Sequence, residues 1–236
     1  MRLRTARLLL ALPVLVSACR DSSDLPLPSV GDEPARVPAA AIEPAPEIPA
    51  DAPVVVFLGD SLAAGLHLAP DEAFPAVVQR LLAKRGHPFR LVNAGVSGST
   101  TAAGLARTDW ILTQEPAVVV IGLGANDGFR GIALEEIEKN LRGILDKVRK
   151  KGARALLLGI RLPPNYGKQY VEGFDALYAR VAKENGAALV PYFMKGVGGV
   201  PEMNLPDGIH PTPEGHRRLA ANVEDALAKL LDSGAG

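Results

Sequence analysis

The chain contains one cysteine, Cys19, so no disulfide can close within it and its folded part must stand on packing alone. It also lacks a charge excess of either sign, since 26 Lys and Arg balance 26 Asp and Glu. Positives and negatives are interspersed, which excludes the electrostatic footprint of a nucleic-acid binder or a polybasic membrane patch. The densest basic run, Lys147 to Lys151, falls at the end of a predicted helix and complements its dipole. There is no His-Glu-x-x-His zinc spacing, and no phosphate-cradling glycine loop with a lysine. No internal repeat is present. These absences point away from metalloproteases, nucleotide enzymes and solenoids, and no metal or cofactor is expected.

What is present begins with an address. Arg2, Arg4 and Arg7 form a positive leader, followed by an apolar stretch, Leu8 to Val16, too short to span a bilayer. Val16-Ser17-Ala18-Cys19 then resembles the lipobox of bacterial lipoproteins, in which the cysteine is lipidated and becomes the new N-terminus. Ordinary signal cleavage after Ala18 is the competing reading. Either way residues 1–19 direct the chain out of the cytoplasm, and Arg20 after the cysteine points toward the outer membrane. Residues 20–52 are rich in Pro, Ala and acidic side chains; they cannot bury enough apolar surface to offset their ordering entropy, and read as a semi-extended tether. Residues 53–236 form the expected catalytic domain. Hydrophobic residues make up 47% of the whole chain, enough for a substantial core.

From Pro53 onward, apolar runs of strand length alternate with helical patterns. Strands are expected over 54–58, 89–92, 118–123, 155–160 and 188–190. Phe74, Val77, Val78, Leu81 and Leu82 share a helical face that Gly86 should end. Leu134, Ile137, Leu141, Ile144, Leu145 and Val148 make a second such stripe. Val171, Phe174, Leu177, Tyr178 and Val181 make a third, ended by Gly186. The last helix starts with Thr212 as N-cap and Pro213 at its first position, and its face is Leu219, Val223, Leu227 and Leu230. Strands apolar throughout are covered on both sides, so the pattern predicts a doubly wound parallel sheet of about five strands. Ligands bind beyond the carboxyl ends of such strands. Ser61, residues 93–100, residues 124–128 and residues 161–170 each follow a strand and would converge on that edge.

Gly59-Asp60-Ser61-Leu62 puts a serine just past the first strand, and Asp207-Gly208-Ile209-His210 puts a carboxylate and an imidazole on one loop. A nucleophile, a base and a group to hold the base are what a serine esterase needs, and the order Ser, Asp, His is one known arrangement of them. Ser61 could instead merely cap the following helix. Asp60 and Asp127 read as carboxylates that order their own turns. His67 and His87 read as loop or surface residues, and His216 as a packing histidine in phase with the last helix. A metal site of Asp207, His210 and His216 is the alternative for that last residue.

These blocks, with Gly98 in Val96-Ser97-Gly98-Ser99-Thr100 and Asn126 in Gly124-Ala125-Asn126-Asp127, resemble the four blocks of the GDSL esterases, or SGNH hydrolases. Residues 160–167, Ile-Arg-Leu-Pro-Pro-Asn-Tyr-Gly, are similar to the bacterial periplasmic branch called thioesterase I, lysophospholipase or arylesterase. The resemblance implies a three-layer α/β/α, flavodoxin-like domain. It implies Ser61, Asp207 and His210 as catalytic residues, and an oxyanion hole of the Ser61 and Gly98 backbone N–H groups with the Asn126 amide. Gly95 is the alternative in its loop, as a turn glycine without a catalytic role, and Asn126 could be a turn residue. Ser99 departs from the branch, where an acidic residue is common. Phe129, Ile132, Leu162, Tyr166 and Met194 follow strand ends and could line an acyl groove or belong to the core. The implied substrates are aryl esters, lysophospholipids and medium-chain acyl thioesters, taken by a monomer with no nucleic-acid partner and a lipid anchor as its membrane contact. Deacetylation of envelope carbohydrates is one rival, and a non-catalytic binding protein on the same fold another.

Overall fold

The run Val54–Gly59 contains no polar side chain, and every residue of it is buried. Successive side chains of a strand point to opposite faces. Val54, Val56 and Leu58 therefore enter one core and Val55 and Phe57 another. The structure, a computed structural model, describes residues 47–233. The leader 1–19 with Cys19, and residues 20–46 of the expected tether, lie outside them.

β1 (Val54–Gly59), β2 (Arg90–Gly95), β3 (Val118–Gly122), β4 (Arg154–Leu158) and β5 (Ala188–Val190) form one sheet in the order β2-β1-β3-β4-β5. All four pairings are parallel. Seven helices accompany the described strands: α1 (Ser61–Ala64), α2 (Phe74–Lys84), α3 (Thr101–Ile111), α4 (Ala125–Phe129), α5 (Leu134–Lys150), α6 (Lys168–Asn185) and α7 (Pro213–Asp232). α2 and α7 cover one face of the sheet, and α3, α5 and α6 the other. This is the expected three-layer α/β/α architecture. Phe57 is 1% exposed and packs edge-on against Phe74 at 5.6 Å between ring centroids. Burying a side chain of that size contributes about 2–3 kcal/mol.

The expected caps are in place. Gly186 ends α6 in the left-handed region at φ 64°, and the Thr212 hydroxyl accepts a hydrogen bond from Gly215 N at 3.2 Å. β2 runs three residues past its expected end, because Gly95 stays in register beside Gly59. Only glycine fits there: a Cβ at position 95 would lie 2.3 Å from Ala64 N. α3 was not expected at all. Its buried positions are Thr101, Gly104, Thr108 and Ile111, which follow helical spacing, but all except Ile111 are small or polar, so no apolar stripe betrays it. The available signal was Thr100, whose hydroxyl caps the helix by accepting from Ala103 N. No helix of the described residues is long and apolar enough to cross a membrane.

Candidate active site

Parallel strands release their following loops at one edge, and the turn that carries Ser61, the candidate nucleophile, leaves β1 there. Asp60 is the N-cap of α1: its Oδ1 accepts from Leu62 N at 3.0 Å. Ser61 is thus the first helical residue rather than the cap, with its hydroxyl left for other work. Gly59 lets α1 fold straight onto the strand end, since a Cβ there would meet Ala63 Cβ at 2.5 Å. Asn93 Nδ2 donates to Ala63 O at 2.7 Å and ties α1 to β2.

Asp60 is 2% exposed, and burial raises its pKa from 3.8 to about 6 against the lowering effect of its backbone hydrogen bonds. Between those values the folded chain holds a proton that the unfolded chain releases, so this group lowers stability as pH rises through the window. His216 has the opposite slope. Burial lowers its pKa from 6.5 to about 4, so its contribution is present above 6.5 and is lost as pH falls toward 4. Asp60→Asn keeps an acceptor for Leu62 N and removes the ionisation. It should raise thermal stability above about pH 7, by up to about 3 kcal/mol, and the gain should vanish near pH 4. Melting curves across that range check this; a gain independent of pH would rule out ionisation as its cause.

The candidate base comes from the other end of the chain. Asp207 Oδ1 accepts from Ile209 N and His210 N, each at 2.9 Å, and Oδ2 lies 2.6 Å from His210 Nδ1. The loop is closed by Leu205 N donating to His210 O at 2.7 Å and by Thr212 N donating to Met203 O at 2.9 Å. The His210 backbone N–H, then its ring, then the Ile209 N–H hold the Asp207 carboxyl well below the usual carboxylate range. An ionised Asp207 can only accept, so Nδ1 carries the proton and Nε2 is left with its lone pair. His210 Nε2 stands 3.0 Å from Ser61 Oγ. Such a chain of contacts can draw a proton from the serine hydroxyl as it attacks a carbonyl.

The loops after β2 and β3 meet beside this turn. Asn126 Nδ2 donates to Ser99 O at 3.1 Å and approaches Asp60 Oδ2 at 3.5 Å, so its amide reaches across the edge instead of stabilising its own loop. Gly98 has φ 76°, a left-handed conformation that suits glycine, and its carbonyl accepts from Arg130 at 3.2 Å. Asp127 orders the region as expected, accepting from Thr101 N at 2.9 Å and from the Thr101 hydroxyl at 2.6 Å. Sequence reasoning missed Arg107. Its guanidinium donates to the Ser99 hydroxyl and, at 2.8 Å, to Gly59 O, clamping the Gly98 loop to the end of β1. Ser99, where the family resemblance departs, is thereby buried and partnered.

The expected groove residues divide. Phe129 is exposed and pairs with Tyr166 at 6.0 Å between centroids. Leu162 is 7% exposed and belongs to the core, under Gly128. Ile132 and Met194 are half-buried against the two cores. Exposed large apolar side chains among the described residues are Val96, Trp110, Phe129 and Ile209. Val96 and Ile209 sit on loops that carry candidate site residues, and Phe129 ends α4, the helix of Asn126. Val96 and Ile209 were not expected, since single apolar residues in polar loops have no periodicity to mark them. An open depression lined by Val200, Pro201, Leu205 and Pro206 borders the Asp207 loop. His216 is a packing histidine, its Nδ1 accepting from Phe74 N at 3.0 Å. His87 pairs with Asp232 at 3.0 Å. His67 is exposed, yet its ring lies edge-on to His210.

A doubly wound sheet with a serine, an imidazole and a carboxylate in series at its carboxyl edge is the framework of a serine hydrolase. The chain belongs to the GDSL-like lipase/acylhydrolase family, whose model matches residues 57–218. "Esterase TesA" of Pseudomonas aeruginosa is 47% identical over 183 residues, which span 77% of this chain and 91% of that protein. "Thioesterase 1/protease 1/lysophospholipase L1" of Escherichia coli K12 is 40% identical over 183 residues, 77% of this chain and 85% of that one. Among solved structures, a crystal structure of TesA superposes with a TM-score of 0.73 at 47% identity, covering 75% of this chain and 99% of that chain.

Proposed function

We propose that this hydrolase cleaves aryl esters, lysophospholipids and medium-chain acyl thioesters through an acyl-enzyme on Ser61. The observation that carries the reading is the series of contacts, Ser61 Oγ to His210 Nε2 at 3.0 Å and His210 Nδ1 to Asp207 Oδ2 at 2.6 Å. His210 takes the serine proton as Oγ bonds to the acyl carbon, and Asp207 steadies the imidazolium that results. The oxyanion is met by the Ser61 and Gly98 N–H groups and the Asn126 amide; one such donor is worth about 10²–10³ in turnover. Collapse expels the alcohol or thiol with the proton from His210. Water, activated by the same ring, then releases the acid.

Val96, Phe129 and Ile209, exposed on the segments that carry Gly98, Asn126 and His210, favour an acyl chain over a sugar. The names of the relatives, which include esterase, thioesterase and lysophospholipase, support the same range. The enzyme would act in the cell envelope, as a monomer held by a lipid on Cys19, with residues 20–52 as spacer. Profiling p-nitrophenyl esters from acetate to palmitate, in membrane and soluble fractions, tests both parts. Activity should extend to medium chains and move to the soluble fraction in Cys19→Ser. Strict acetate preference with turnover of acetylated sugars would install the carbohydrate esterase instead, and unchanged partitioning would remove the lipid anchor.

A further inference from the structure

We propose that His67, Asp207 and His210 form a binding site for a divalent cation of the zinc class, and that filling it shuts hydrolysis off. The inhibition, though not the binding, rests on the reading of His210 as the base. The nearest donor atoms of the three side chains lie within 4.8 Å of one another. The His67 and His210 rings meet edge-on at 84°, with centroids 5.9 Å apart.

His67 is held there by its backbone. At φ 70° it is one of two non-glycine residues with positive φ among those described, the other being Glu115. That conformation costs a β-carbon-bearing residue about 1–2 kcal/mol. The turn enforces it, through Leu66 N donating to Ser61 O at 3.1 Å and Leu68 N donating to Gly65 O at 2.9 Å. Gly65 at its base is wedged against Ala73. The turn that carries the nucleophile therefore also presents a second imidazole to the base, on the solvent side where ions have access.

Two imidazoles and one carboxylate are ligands for zinc or copper, whereas magnesium and calcium favour all-oxygen shells. Zinc bonds to nitrogen and oxygen are about 2.0–2.2 Å, so tetrahedral donors stand roughly 3.3 Å apart. The three side chains must close by about 1.5 Å at most from their present positions, a small movement for His67 and Asp207, which are exposed, toward the half-buried His210. Asp207 already holds its negative charge, and water can complete the shell. Capture of His210 abolishes the base whichever nitrogen is used, because Nδ1 is its link to Asp207 and Nε2 its link to Ser61.

The test uses the full chain and zinc chloride, with each variant's p-nitrophenyl butyrate hydrolysis normalised to its own rate in EDTA. Zinc should inhibit the parent reversibly, and equal concentrations of magnesium or calcium should not. In His67→Asn and His67→Gly, both of which tolerate a left-handed backbone, half-inhibition should need about tenfold more zinc or beyond, since losing a direct ligand outweighs the loss of outer-shell partners. Calorimetry on Ser61→Ala should show one zinc per chain, lost when His67→Asn is added. Unchanged zinc sensitivity in both His67 variants would overturn the site, as would its loss in His87→Asn, which removes the rival His87–Asp232 pair. Retained esterase activity in Ser61→Ala would instead count against the proposed function, and the calorimetry would still judge the cation site.

Discussion

Ser61→Ala should lower kcat/KM for p-nitrophenyl butyrate by about 10⁴-fold or more, with the melting temperature essentially unchanged. The substitution deletes the only atom that can bond to the acyl carbon in the proposed scheme. It leaves intact everything that shapes the turn. Asp60, not Ser61, caps α1, and Ala64 N still reaches Asp60 O at 3.0 Å. The His210 ring also keeps its anchor on Asp207. The backbone N–H groups and Asn126 remain, so a residual rate above that of water is expected from oxyanion stabilisation alone. A variant that keeps full activity while folded would end the assignment of the nucleophile.

Asp207→Asn is the second large effect, a loss of about 10³ to 10⁴ in kcat. The carboxamide keeps an oxygen for Ile209 N and His210 N, so the loop should hold its shape. What changes is the sign of the contact with His210. A carboxylate accepts from Nδ1–H, whereas an amide nitrogen placed at Oδ2 donates, and so favours the tautomer that puts the proton on Nε2, facing Ser61. That tautomer cannot take the serine proton. The Asp207 side chain is 39% exposed, so water will stabilise part of the imidazolium and the loss should fall short of that at a fully buried site. A loss below tenfold, in a variant with parental KM and melting temperature, would show that Asp207 does not set the tautomer.

How legible this molecule is depends on the kind of signal. The sheet announced itself because β1 and β3 are apolar on both faces, and α5 because Ile137, Leu141, Ile144 and Val148 repeat at helical spacing. The candidate site was readable because Ser61, Asp207 and His210 are side-chain types that a core does not need, placed where the strand pattern leaves an open edge. α3 was silent, since its buried face is threonine and glycine with Ile111 as its one buried apolar residue. Arg107 was silent for a related reason: its importance lies in two oxygen atoms that folding brings to it, Gly59 O and the Ser99 hydroxyl. The meeting of His67 with His210 is of the same kind, because 143 positions separate them in the chain and only the turn after α1 and the loop before α7 join them. Pattern reveals what is periodic; contacts across the edge of the sheet are not.

The direction of β1 sets which end of the domain carries the candidate site. Ala52, whose carbonyl is gripped by Arg90 Nε at 3.0 Å, lies at the start of that strand, and Ser61 lies just past its end. Six residues of extended chain set them about 20 Å apart along the strand. The chain therefore enters the domain at the end of the sheet opposite the candidate site. Fusions or deletions made on that entering side should thus leave the hydrolytic edge untouched.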